Sequence, residues 1–332
     1  MTRVHLPLSI ILSSLIVGLS GCGGPQIPAN PPSLCFMEAP MLDDGSGERA
    51  PRANEWVTLI LGQNAAMDRT APAQDCTEQP IRWPSGEECG REDGTPTSST
   101  LQDASVIVRQ VDPNTRLVWI QTHRYAGDSN EALGPIALVE KSSAIGEVRP
   151  AGWVVRSVGM LRGYTGDVTL RLRGTPQEGL LIAEGTACSE DDDSRCARSA
   201  RILPMVGYRF MPTPVYTSDN ECVGAAQIYT TRYQEATLPS GWSRLFHLTS
   251  SFQYAGGGLT VIESITATDT SEAHPEVPPR RFRLVDAQRS ISLEDGRLIA
   301  EGTPVWPRML SHDGSTAVDT DDQSADADSA SE

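Results

Sequence analysis

Trp242-Ser243-Arg244-Leu245-Phe246-His247-Leu248-Thr249-Ser250-Ser251-Phe252-Gln253-Tyr254 is the stretch on which the fold turns. Trp242, Phe246, Leu248, Phe252 and Tyr254 all occupy even positions, while Ser243, Thr249 and Ser251 fall among the odd ones. Side chains alternate across a strand with a period of two, so this pattern offers one face to a core and one to water. A helix would repeat its apolar residues three and four apart. The same alternation recurs where Val168, Leu170 and Leu172 interleave with Thr169, Arg171 and Arg173, and where Phe282 and Leu284 interleave with Arg281 and Arg283. Further strands are expected at Trp56–Leu61, Ala104–Gln110, Arg116–Thr122, Pro135–Glu140, Trp153–Met160, Leu180–Glu184, Ile202–Phe210, Gln227–Tyr233, Leu259–Ala267 and Arg297–Glu301. The fold class that follows is all-β, built of antiparallel sheets.

Turn chemistry punctuates these strands. Asp112-Pro113-Asn114, Gly163 to Gly166, and Ala255 to Gly258 each join two of them. Asp295-Gly296 stands between Ile291–Leu293 and Arg297–Ile299, and an Asp-Gly pair in that setting signals a tight hairpin. An internal echo adds a second level. Gly179 to Thr186 reads GLLIAEGT and Gly296 to Thr303 reads GRLIAEGT, identical at seven of eight positions. The echo suggests duplication into two diverged β units, about 54–211 and 212–311, either tandem sandwiches or two halves of one barrel.

Composition narrows the function. The 332 residues carry 27 Lys and Arg against 43 Asp and Glu, a formal charge of −16. Lys141 is the one lysine. A chain this acidic, with no basic cluster, is unsuited to nucleic acid, because phosphate must be neutralised by Lys or Arg. His312 to Glu332 holds Asp313, Asp319, Asp321, Asp322, Asp326, Asp328 and Glu332 with no basic residue, and reads as a disordered acidic tail.

Local signatures of catalysis are absent from the sequence. His-Glu-x-x-His and Gly-x-Ser-x-Gly do not occur. His123 and His247 lie in or near strands and read as structural, and His274 reads as solvated in a loop. Gly256-Gly257-Gly258 reads as a turn. Glu190-Asp191-Asp192-Asp193 reads as a solvated loop, because consecutive carboxylates do not supply the spaced oxygens of a calcium site. Trp56, Trp119, Trp153 and Trp242 read as core; Trp83 and Trp306 fit either exposed platforms or strand-end plugs. No cofactor and no metal is called for.

The N-terminus sets the destination. Arg3 and His5 precede an apolar stretch from Leu6 to Gly18, followed by Leu19-Ser20-Gly21-Cys22. A short basic start, an apolar centre too short to span a bilayer and small residues before a cut describe a secretory signal over 1–21. Leu19 to Cys22 resembles the lipobox of bacterial lipoprotein precursors. The resemblance implies that Cys22 receives a diacylglycerol and becomes the acylated first residue of the mature chain. Two or more acyl chains anchor a protein stably, whereas one is marginal. Gly23 in place of aspartate implies the outer membrane of a Gram-negative bacterium. Residues 22–53, opening with the Gly- and Pro-rich run Gly23 to Leu34, then read as the lipidated cysteine and a flexible tether.

Six cysteines remain: Cys35, Cys76, Cys89, Cys188, Cys196 and Cys222. An even number in an exported chain points to disulfides, and six cysteines allow fifteen pairings. Short loops suggest Cys188–Cys196 and Cys76–Cys89, leaving Cys35–Cys222. Beyond the lipobox, the chain resembles Arg-rich, Lys-poor lipoproteins of Gram-negative bacteria with large envelopes. The function expected is that of a lipid-anchored envelope protein with a non-enzymatic binding or structural role, its partners being the membrane and an envelope protein or ligand. A lipocalin-like carrier of an apolar ligand is the alternative. A hydrolase with a site assembled from distant loops is the second.

Overall fold

Two tight turns show how the alternating segments fold back. The strand Ser243–Ala255 returns as Gly258–Thr270 through Gly256 and Gly257, with φ of +60° and +82°. Arg280–Glu294 returns as Arg297–Glu301 through Asp295 and Gly296, with φ of +49° and +79°. Positive φ at both central residues matches the right-handed twist of paired strands, which is why Gly-Gly and Asp-Gly stand there. The structure, a computed structural model, describes residues 34–62, 74–78, 81, 89, 97–98, 105–125, 130–144, 150–188 and 195–306.

The described residues form two sheets and a helix, confirming the all-β class. The first sheet contains β1 (Cys35–Glu38), β2 (Thr97–Ser98), β3 (Val106–Gln110), β4 (Thr115–Ile120), β5 (His123–Arg124), β6 (Glu131–Ser142) and β7 (Gly152–Tyr164). Its order is β1-β7-β6-β4-β3, with β2 and β5 paired beside β6, and every pairing is antiparallel. The second sheet holds β8 (Gly166–Gly174), β9 (Glu178–Ala187), β10 (Ala197–Val206), β11 (Arg209–Phe210), β12 (Val215–Thr217), β13 (Cys222–Gly224), β14 (Gln227–Thr237), β15 (Ser243–Ala255), β16 (Gly258–Thr270), β17 (Arg280–Glu294) and β18 (Arg297–Glu301). Its order is β13-β12-β18-β17-β16-β15-β14-β10-β9-β8, with β11 beside β10. Only β12 and β18 run parallel among these pairings. The end strands β13 and β8 are not paired, so the sheet does not close into a barrel.

The layers follow from which residues each strand turns to which side. In β6, Leu133, Ala137 and Val139 face one core while Ala132, Ile136 and Leu138 face another. Both faces are covered, which explains the nearly unbroken apolar run of β6. In β7, Trp153 and Val155 share the first core with Met160, a change from odd to even positions. The pairing jumps from Leu138–Ser157 to Val139–Val155, so Arg156 is an extra residue that resets the alternation. The second core is completed from the other sheet by Leu170 of β8, Leu181 of β9, Met205 of β10 and Phe210 of β11. The opposite faces of β9 and β10 (Leu180, Ile182, Ala200 and Ile202) join Val215, Leu259, Ile291 and Leu298 in a third core. Strands from both ends of the second sheet thus meet over one apolar interior, and the sheet is strongly curled.

Two expectations are corrected. Trp56–Leu61 is not a strand; it is the larger part of α1 (Ala53–Leu61). Its five buried residues Trp56, Val57, Leu59, Ile60 and Leu61 include the i,i+4 pairs Trp56/Ile60 and Val57/Leu61, which lie on one helical face. Glu55 secures the first turn, accepting from the Arg52 backbone N–H at 2.6 Å and from the two terminal guanidinium nitrogens of Arg49 at 2.6 and 2.7 Å. The helix covers the outer face of the first sheet, with the Trp56 and Trp153 rings edge to face at 5.2 Å. The tether expected over 22–53 is also shorter, because β1 pairs with β7 from Cys35–Val155 to Glu38–Gly152. The sheets divide between Tyr164 and Gly166, and β10 pairs with β14 across the expected boundary at 211/212.

Candidate functional site

Among the residues singled out from sequence, the six cysteines form three disulfides. Cys188–Cys196 is as expected from its short loop, with Cα atoms 4.0 Å apart. The other two pairings are corrected to Cys35–Cys76 and Cys89–Cys222. Proximity along the chain misled because β1 sits beside the helix: Cys76 donates its backbone N–H to Ile60 at 2.9 Å, at the end of α1, and lies next to Cys35. Cys22, Trp83, His312, the loop 190–193 and the acidic tail lie outside the described residues.

The three described histidines do not converge. His123 is buried, its Nδ1 lying 2.8 Å from the Thr122 hydroxyl, and burial holds its pKa below the ordinary value. His247 stacks on Tyr233 at 4.5 Å, and burial, then the charge of Arg281, lowers its pKa. His274 is exposed and lies 3.4 Å from a Glu276 carboxylate oxygen. Trp306 resolves as a plug, 3% exposed in a fourth core with Leu248 and Ile265.

The concave side of the second sheet carries a cavity of about 790 Å³. It arises where two strands part. β14 and β15 pair from Thr237–Ser243 to Thr231–Thr249 and no further. Beyond that point β14 continues along β10, while Ser250 to Ala255 of β15 pairs with β16 alone among the described residues. Thr230 marks the divergence. Arg198 lies opposite Thr231 and Ser199 opposite Tyr229, so Thr230 is an extra, bulged residue whose hydroxyl donates to the Arg198 carbonyl at 3.3 Å. Bulges of this kind bend a strand and re-aim its side chains. The Tyr254 hydroxyl reaches across to Gly174, 2.7 Å from where a Cβ would stand, and so bounds one end.

Two chemistries line this groove. Ile182, Phe252 and Tyr254 extend from the third core into its floor. Arg171, Arg173 and Arg198 rise from β8 and β10, with Glu184 of β9 among them. Glu184, with its side chain 11% exposed, lies 2.9 Å from Arg171 and 3.9 Å from Arg198. Arg198 also lies 3.6 Å from Asp167. Three guanidinium groups face one lining carboxylate, a local positive excess in a strongly acidic protein. The hydroxyls of Thr230, Thr231, Ser250 and Ser251 complete the wall. Ser250 Oγ is buried and makes no hydrogen bond among the described residues.

Reading the sequence missed this groove. Arg171 and Arg173 are visible in it only as the wet face of an alternating strand, and nothing local connects them to Arg198 or Ser250. Protein-family models, curated proteins and solved structures were compared with this chain, and none matches it.

Proposed function

We propose that this chain is an exported lipoprotein of a bacterial cell envelope, held to the membrane by lipid on Cys22, whose all-β body has a non-enzymatic binding role. The carrying observation is the use of its cysteines. The sequence has seven, six pair with one another, and the one left over is Cys22, at the end of a lipobox-like Leu19 to Cys22. Disulfides persist in oxidising compartments, so the paired cysteines support the export implied by the signal segment. Leu34 is joined to the body, its backbone N–H donating to the Val155 carbonyl at 2.9 Å, and the Gly- and Pro-rich run that precedes it in sequence suits a connection to the anchor. The open groove supplies a place for a ligand, and its arginine-bearing wall favours a polar or charged one over the wholly apolar cargo of a lipocalin.

Labelling cells with radioactive palmitate tests the anchor. Label is expected on the wild-type chain, in the outer-membrane fraction, and lost in Cys22→Ala. The purified, unreduced, denatured protein should show no titratable thiol. Equal palmitate incorporation in Cys22→Ala, or a free thiol in the mature wild type, would overturn the reading.

A further inference from the structure

We propose that the groove on the concave side of the second sheet binds a small organic anion, one bearing a carboxylate or phosphate on an apolar body. This deepens the binding role proposed above and does not depend on the lipid anchor.

Size is the first argument. A cavity of about 790 Å³ lies in the range of small-molecule sites, roughly 300–1,000 Å³, and far exceeds an inorganic ion. Charge is the second. The chain as a whole is −16, yet the lining carries three arginines and one glutamate. Guanidinium groups match the paired oxygens of carboxylate and phosphate, and they do so best when already oriented. Glu184 supplies that orientation, standing between Arg171 and Arg198 from the strand that separates their strands. Arg173, one strand-repeat beyond Arg171, has no ion pair shown among the described residues.

Polarity along the groove is the third argument. The arginines stand on β8 and β10, and Phe252 and Tyr254 stand across the gap on β15. An anion with an apolar body would set its charged group on the arginines and its body against Ile182, Phe252 and Tyr254. The fourth is the hydroxyl-bearing wall. Thr230, Thr231, Ser250 and Ser251 line the groove beside the arginines, so polar groups continue from the charged end along one side. The β-bulge at Thr230, which opens the gap between β14 and β15, is the backbone feature that makes room.

The test is calorimetric titration of the detergent-solubilised full chain with four probes: 3-phenylpropionate, phenyl phosphate, the neutral 3-phenylpropanol and inorganic phosphate. Saturable binding is expected for one or both of the first two, at least tenfold tighter than for the alcohol and for inorganic phosphate. Arg171→Met with Arg173→Met should weaken it at least tenfold while leaving the melting temperature unchanged, since both side chains are exposed. Alcohol binding equal to that of the acid would overturn the charge argument, and inorganic phosphate binding as tightly would overturn the apolar half. Absence of saturable binding by either anion, or full affinity in the double arginine variant, would overturn the proposal. Palmitate labelling of the same preparation reports separately on the anchor.

Discussion

The two copies of the echoed octapeptide occupy the same sheet and are used differently. Gly179 to Thr186 lies on β9, between β8 and β10; Gly296 to Thr303 covers β18, between β17 and β12. In the first copy Leu181 and Ala183 face the core between the sheets, and Ile182 faces the interior of the curl. In the second, Leu298 and Ala300 face that interior, while Ile299, the counterpart of Ile182, is only half-buried. Glu184 is enclosed between two arginines, whereas its counterpart Glu301 is exposed and accepts from the Ser290 hydroxyl at 3.1 Å. Even the leading glycines differ. Gly179 is required because a Cβ would lie 2.4 Å from the Arg173 carbonyl, and Gly296 because its φ is +79°. Identical residues acquire their roles from the number of layers above and below them.

If layering holds the first copy, something else must hold the second, and two features stand out. Cys222 of β13, next but one to β18, is tied to Cys89 across a sequence separation of 133. By chain entropy, replacing both with serine should cost about 5 kcal/mol, the largest effect expected, against about 2.5 kcal/mol for Cys188 and Cys196, which close a separation of 8. Urea unfolding of unreduced variants measures both; equal losses would break this account of the far edge. The second feature is the buried pair of Glu263 and Arg289, 3.3 Å apart with side chains 5% and 6% exposed. Glu263 also accepts from the Val305 backbone N–H at 3.1 Å and so fixes the turn that carries Trp306. Arg289→Met leaves an uncompensated carboxylate and should cost about 3–5 kcal/mol. Near-UV circular dichroism of Trp306 should change with it.

The copies themselves give the sharpest contrast. Ile182→Ala should cost about 2–5 kcal/mol and Ile299→Ala less than about 1 kcal/mol, whereas Leu181→Ala and Leu298→Ala should cost alike. Thermal unfolding of the four variants checks it, and similar losses at Ile182 and Ile299 would refute the difference in layering. The smallest effect concerns pH. His123 lies in the first sheet and His247 in the second, and both have pKa values below the ordinary 6.5. The unfolded chain takes up protons first as pH falls, so their contribution is full above 6.5 and is lost as pH drops through the folded values. Melting temperature should fall between pH 7 and 5, and His123→Gln with His247→Gln should flatten the slope.

Much of this was legible in the chain. Alternation placed β8, β15 and β17, since a half-buried strand records its two environments in its residues. Asp295-Gly296 and Gly256-Gly257 marked their turns because few other residues tolerate positive φ. The helix was not legible: a run such as Trp56–Leu61, five of six residues apolar, satisfies a buried strand and a buried helix equally. The groove was least legible. Arg171, Arg198 and Ser250 come from three strands, and the space among them exists because β14 leaves β15 at Thr231.

The sequence by itself determined the all-β class, the hairpins, the acidic surface and the even set of six cysteines downstream of Cys22, because each depends on local chemistry or composition. Tertiary structure alone decided which cysteines meet, which of two nearly identical octapeptides is buried on both faces, and where three arginines gather in an acidic protein. Those outcomes depend on the packing of distant strands, and strand periodicity specifies which face a residue takes but not what lies against that face.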